Sequence, residues 1–180
     1  MKKIIKILTV CLLILTFCSC SVQEKMNSEI FIERFSENCS ELDFNNSEII
    51  YDESDCKIFI KNNAGIEFLI ELKKDDNNNI NKLNLVTTEL KAESSFISVS
   101  KKMVETYSPD DSSQTIINEL FTDGKIKNDF VFFETQWYYY SVAKTENAIY
   151  FSVENKKLSP EKNTDLTLKP NDIDTEKGSD

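Results

Sequence analysis

Two short runs of alternating apolar and polar residues, Cys56-Lys57-Ile58-Phe59-Ile60-Lys61 and Ile66-Glu67-Phe68-Leu69-Ile70-Glu71-Leu72-Lys73, are separated only by Asn62-Asn63-Ala64-Gly65. Alternation with period two sends the apolar side chains of an extended chain to one face. Four turn-forming residues then let the second run fold back along the first. The pattern predicts an antiparallel hairpin with one buried face. A third strand is expected over residues 82–88, after the polar loop 75–81, and residues 48–52 supply a further short one.

Helical spacing brackets these strands. Ile30, Phe31, Arg34, Phe35 and Cys39 share one helical face, with Asn27 or Ser28 placed to cap it. Phe96, Val99, Met103 and Tyr107 form a second face. After Ser108-Pro109, a third follows at Ile116, Ile117, Leu120 and Phe121, with Gly124 where a left-handed residue would stop the helix. Residues 129–154 are strand-like again, turning at Lys144-Thr145-Glu146-Asn147. The order predicts an α+β fold, a single domain over residues 28–154 in which an antiparallel sheet is packed on one face by an N-terminal helix and a central helix pair. Residues 155–180 carry Pro160, Pro170 and Gly178, mix six acids with five lysines, and hold few sizeable apolar groups, so a disordered polar tail is expected.

The first twenty residues give an address. Lys2, Lys3 and Lys6 precede a run from Ile7 to Phe17 that is apolar apart from Thr9 and Thr16, the form of an export signal. A bilayer core needs roughly 20 apolar residues, and this run is shorter. Phe17-Cys18-Ser19-Cys20 resembles the lipobox of bacterial lipoproteins, in which a small residue precedes a cysteine that receives a diacylglycerol before cleavage. The resemblance is confined to this segment. It implies a signal peptide over residues 1–19, a lipidated tether over residues 20–27 beginning at Cys20, and a palmitate-bearing protein held at the cell membrane facing outside the cytoplasm. An ordinary secretory signal cut after Ser21 would also satisfy the small-residue offsets.

Without residues 1–19 the chain holds 18 basic against 31 acidic residues, a net charge of −13. Phosphate backbones repel such a surface, which excludes nucleic acid as a partner, and attachment to a membrane must come through the lipid anchor. Cys39 and Cys56 could pair outside the cytoplasm, closing a loop worth roughly 3 kcal/mol in the chain-entropy model, or could remain two buried thiols.

The chain contains no histidine. That removes Ser-His and Cys-His nucleophile pairs and the imidazole ligands of most catalytic zinc sites. Asp75-Asp76-Asn77-Asn78-Asn79 begins like a calcium loop, but Ile80 and Val86 occupy the positions that need Gly and Glu, leaving a polar hairpin loop. Ser98-Val99-Ser100-Lys101 fits S-x-x-K without the companion motifs of that chemistry. Glu67 and Glu71 share the outward face of one strand, as solvated carboxylates in an acidic chain do. Neither a catalytic residue, a metal site nor a cofactor is expected.

The densest unusual feature is aromatic: Phe130, Phe132, Phe133, Trp137, Tyr138, Tyr139 and Tyr140. Alternation places Trp137 and Tyr139 on one face of a strand and Tyr138 and Tyr140 on the other. One face must meet the core. The other is either covered by the chain's own loops, leaving both faces buried, or exposed as the candidate binding surface that Trp137, Tyr138, Tyr139 and Tyr140 offer. The expectation is a non-catalytic binding or adaptor module at the cell envelope, engaging an envelope protein or a small ligand. The alternatives are a small exported carboxylate-dependent hydrolase and an assembly or chaperone-like factor.

Overall fold

A computed structural model describes residues 25–122, 125–126 and 129–158. The signal segment, Cys20, Gly124 and the tail beyond residue 158 lie outside the described residues. Helix α1 (Ser28–Asn38) and a 3-10 turn (Phe44–Asn46) lead into strands β1 (Glu48–Tyr51), β2 (Asp55–Lys61), β3 (Glu67–Lys74) and β4 (Ile80–Thr87). Helices α2 (Glu93–Tyr107) and α3 (Ser113–Leu120) follow, then β5 (Phe121–Thr122), β6 (Lys125–Ile126), β7 (Phe130–Glu134), β8 (Tyr138–Lys144) and β9 (Ile149–Asn155).

Local chemistry sets the boundaries. Of the two residues able to cap α1, Asn27 does so, its side-chain oxygen accepting the Ile30 N–H at 2.9 Å. Ser112 caps α3 through the Thr115 N–H. That helix ends earlier than its apolar face suggests. Phe121 stays buried but takes extended backbone and pairs with Ile126, so its place in the core is reached from a strand.

In the β2–β3 turn, Asn62 accepts from the backbone N–H groups of Ala64 and Ile66, and Gly65 supplies the positive φ of 80°. The β3–β4 loop closes on itself in the same way. Asp75 accepts from the N–H groups of Asn77 and Asn79, and Asn78 sits at φ 62°. Burial pushes the Asp75 carboxyl upward, but these hydrogen bonds outweigh it and hold the group below the usual carboxylate range.

Seven strands form one antiparallel sheet in the order β1-β2-β3-β4-β9-β8-β7. Two meanders, β1 to β4 and β7 to β9, meet where β4 pairs with β9. The register aligns whole rows of side chains. Ile58, Ile70, Leu85, Phe151, Val142 and Val131 are successive cross-strand partners, as are Cys56, Leu72, Leu83, Val153, Tyr140 and Phe133. Both rows point at the helices and pack with Phe31, Phe35, Phe96, Val99 and Met103 in one core. Each side chain fully buried there contributes about 1.5–3 kcal/mol. Stacking of Phe31 on Phe35 and an edge-on contact of Phe31 with Tyr107 fix α1 against α2.

Cys39 and Cys56 are two free, buried thiols, one closing α1 and the other in an inward row of β2. Of the two outcomes open to this pair, the structure has the unbridged one. Burial first, and the neighbouring Glu41 carboxylate second, push Cys39 from an ordinary 9.0 up to about 12, and burial raises Cys56 as well. A chain of residues 21–180 should therefore react negligibly with a thiol reagent when native and expose two thiols in urea; an unreactive unfolded chain would mean a bridge. Because the folded state holds Cys39 neutral beyond the pH at which the unfolded thiol ionises, its stabilising contribution is complete below the ordinary value. It is lost as pH rises toward about 12. Urea midpoints measured across that window should fall more steeply for the wild type than for Cys39→Ala.

Candidate binding surface

The turn 135–137 divides the aromatic run and decides which rings are available. Thr135 accepts the Tyr138 N–H on its hydroxyl, and its own N–H donates to the Tyr138 carbonyl, so β8 starts at Tyr138 and Trp137 belongs to the turn. From that start Tyr138 and Tyr140 point at the helices. They are 5% and 0% exposed, which removes both from the candidate surface.

Their hydroxyls explain why tyrosine sits so deep. The Tyr140 hydroxyl lies 2.8 Å from Ser108 Oγ and 2.7 Å from Asp111 Oδ2, and Thr135 donates to the same carboxylate oxygen. Tyr138 donates to the Tyr107 carbonyl, and Tyr107 donates to the Ile80 carbonyl at 2.6 Å. Every buried phenol thus has a partner, and burial raises the Tyr107 and Tyr140 hydroxyls far above their ordinary range.

Tyr139 and Trp137 remain half-exposed. Tyr139 lies on the opposite side of the sheet, against which no described helix is stacked, with Phe132 beside it at 5.6 Å between ring centres. The register shows how far this open face extends. Phe59, Leu69, Val86, Tyr150, Ala143 and Phe130 are successive partners across six strands, forming an outward apolar row. The next row contains Ile50, Lys57, Glu71, Asn84, Ser152, Ser141 and Phe132. Of the five large apolar side chains most exposed among the described residues, Ile50, Phe59, Phe130 and Phe132 lie on this face; Tyr51 alone faces the helix side. Ser141, Ala143 and Ser152 sit low between the rings, each less than a tenth exposed.

Charges on this face compensate one another. Lys57 meets Glu71 at 3.9 Å, Lys61 meets Glu67 at 2.7 Å, Lys82 meets Glu154 at 3.6 Å and Lys156 meets Glu134 at 2.9 Å. With Lys73, Glu48 and Asp55 the face carries five lysines against six acids, whereas the rest of the described chain carries nine basic against seventeen acidic residues. The acid excess is therefore concentrated away from the open face.

The remaining motifs do not converge. Ser98 donates to Glu41 while Lys101 reaches Gln114, and Lys144 is engaged by Glu93. Glu67 and Glu71, both outward on β3, are each matched by a lysine on β2. Among the described residues no group of three cysteine or carboxylate side chains is placed to hold a metal ion. No protein family model, curated protein or solved structure matches the chain.

Of the four residues that the sequence offered as a binding surface, Trp137 and Tyr139 stay half-exposed and Tyr138 and Tyr140 are buried, while the outward apolar positions on β2 to β4 were missed. The signal was there in Ile58-Phe59-Ile60 and Phe68-Leu69-Ile70, where an apolar residue occupies an outward position in an alternating run. The two faces differ in cost when truncated. Tyr140→Ser should destabilise the domain by about 3–5 kcal/mol, as removal of a buried ring does. Tyr140→Phe should lose about 1–3 kcal/mol by stranding buried acceptors. Phe132→Ser should cost under about 1 kcal/mol. Thermal melts of the three variants check the assignment; equal losses for Tyr140→Ser and Phe132→Ser would contradict it.

Proposed function

We propose that the protein is an exported lipoprotein, anchored through Cys20 at the outer side of the cell membrane. In this reading its domain is a non-catalytic binding module that works through the open face of its sheet. The observation that carries the binding role is the outward aromatic and aliphatic row from Phe59 to Phe130, on the face of the sheet opposite the helices. An exposed apolar patch of this extent marks an interaction surface rather than ordinary solvent contact. Charge supports the choice of face: an acidic partner protein meets least repulsion where lysines and carboxylates balance. The anchoring role is supported by Phe17-Cys18-Ser19-Cys20 behind a basic and then apolar leader.

Two measurements test the two halves separately. Metabolic labelling with palmitate should mark the wild type and leave Cys20→Ser unlabelled, and a wild type without label removes the anchor. Cross-linking in intact cells should yield a stoichiometric adduct with the wild type that is lost in Phe132→Ser/Tyr139→Ser while that variant stays folded and membrane-bound. An adduct that survives the double substitution places binding elsewhere.

A further inference from the structure

We propose that one end of the sheet, carrying Met26, Trp137, Lys156 and Lys157, rests against the lipid headgroups, so that the strands stand on the bilayer and the open face looks sideways. This rests on the anchor at Cys20. The domain is pinned close to that anchor: Met26 is buried and its carbonyl accepts the Ile80 N–H at 2.8 Å. Only six residues lead from Cys20 to Met26, and fully extended they span at most about 20 Å.

The register shows what lies at the same end. Lys82, two residues beyond Ile80, is opposite Glu154, and Glu154 is opposite Tyr139. One turn further down, the Lys156 N–H donates to the Trp137 carbonyl at 2.9 Å. Ile80 and Trp137 are thus level with each other and two strand spacings apart, roughly 10 Å.

The side chains at this corner suit a headgroup layer. Lys157 Nζ lies 3.8 Å from the centre of the Trp137 ring and Lys156 Nζ lies 4.5 Å from that of Tyr139. Exposed Lys25 precedes Met26. Aromatic rings with an apolar body and polar edge, flanked by lysines, are favoured where a membrane meets water. The other surfaces are less suited. This end also carries Asp52, Glu53, Asp75, Asp76 and Glu134, but there Lys25, Lys74, Lys82, Lys156 and Lys157 are interspersed with them. The exposed side of α1, by contrast, carries Glu29, Glu33 and Glu37 with no lysine, and the far end of the sheet, at the 145–148 turn, is a strand length of about 23 Å away.

Trp137 is the sole tryptophan of the chain and reports directly. The lipidated protein is bound to phosphatidylcholine–phosphatidylglycerol vesicles, with or without lipid bearing a nitroxide on its headgroup, and binding is read by flotation. Trp137 emission should be quenched in the wild type. In Trp137→Phe/Asn147→Trp, which moves the reporter to the far turn, quenching should be weaker by roughly twofold or more. Protein that floats with Trp137 quenched no more than the far reporter overturns the orientation while leaving the anchor intact. Protein that fails to float overturns the anchor and this inference with it.

Discussion

The pairing of β4 with β9 is the interaction on which the molecule depends. Each meander is built from neighbours in sequence, and either alone would be a small sheet with one apolar face and too little to cover it. The ladder from Lys82–Glu154 to Thr87–Ile149 joins them and brings the inward rows into register over all seven strands. The helices α2 and α3 lie in the chain between the two meanders, so the same pairing folds them back over the shared core. This contact spans a long loop, and its closure entropy is offset only when the helices and both meanders bury their rows together.

Such dependence explains what the sequence revealed and what it withheld. Alternation in β2 and β3, the helical spacing of Phe31 and Phe35 and of Phe96, Val99 and Met103, and the turn at Asn62 to Gly65 are local signals. Each matched an element, and the α+β architecture with helices on one face followed from their order. The aromatic run was harder because both of its faces are apolar. The turn at 135–137, together with the long-range positions of Ser108 and Asp111 that meet the Tyr140 hydroxyl, decides which rings enter the core. That the two cysteines are free and buried is likewise a matter of tertiary placement, and the breadth of the open face comes from a register that no single strand encodes.

The two faces of the sheet follow different chemistry for a physical reason. The inward rows are almost wholly apolar, and the hydroxyls of Tyr138 and Tyr140 within them are satisfied by the end of α2 or the loop after it. The outward rows mix rings with ion pairs that are solvent-exposed and individually worth about 0–1 kcal/mol. Those pairs add little stability. Their effect is to hold the local field near neutral on one side of a strongly acidic protein, which leaves the apolar row approachable.

The buried phenol hydroxyls gather at one end. Ile80 donates its N–H to Met26 and accepts the Tyr107 hydroxyl on its carbonyl; Tyr107 in turn accepts Tyr138, and Asp111 gathers Tyr140 and Thr135. This network ties the entry of the chain, the end of α2 and the β7–β8 turn into one unit. Any pull on the chain before residue 25 reaches the domain through the first residues that are fixed, here Met26 and Ile80. Hydrogen bonds inside a low-dielectric core resist that pull better than exposed ones, since breaking them strands buried polar groups. The end at which the chain enters the domain is therefore the end at which polar contacts reinforce the apolar packing.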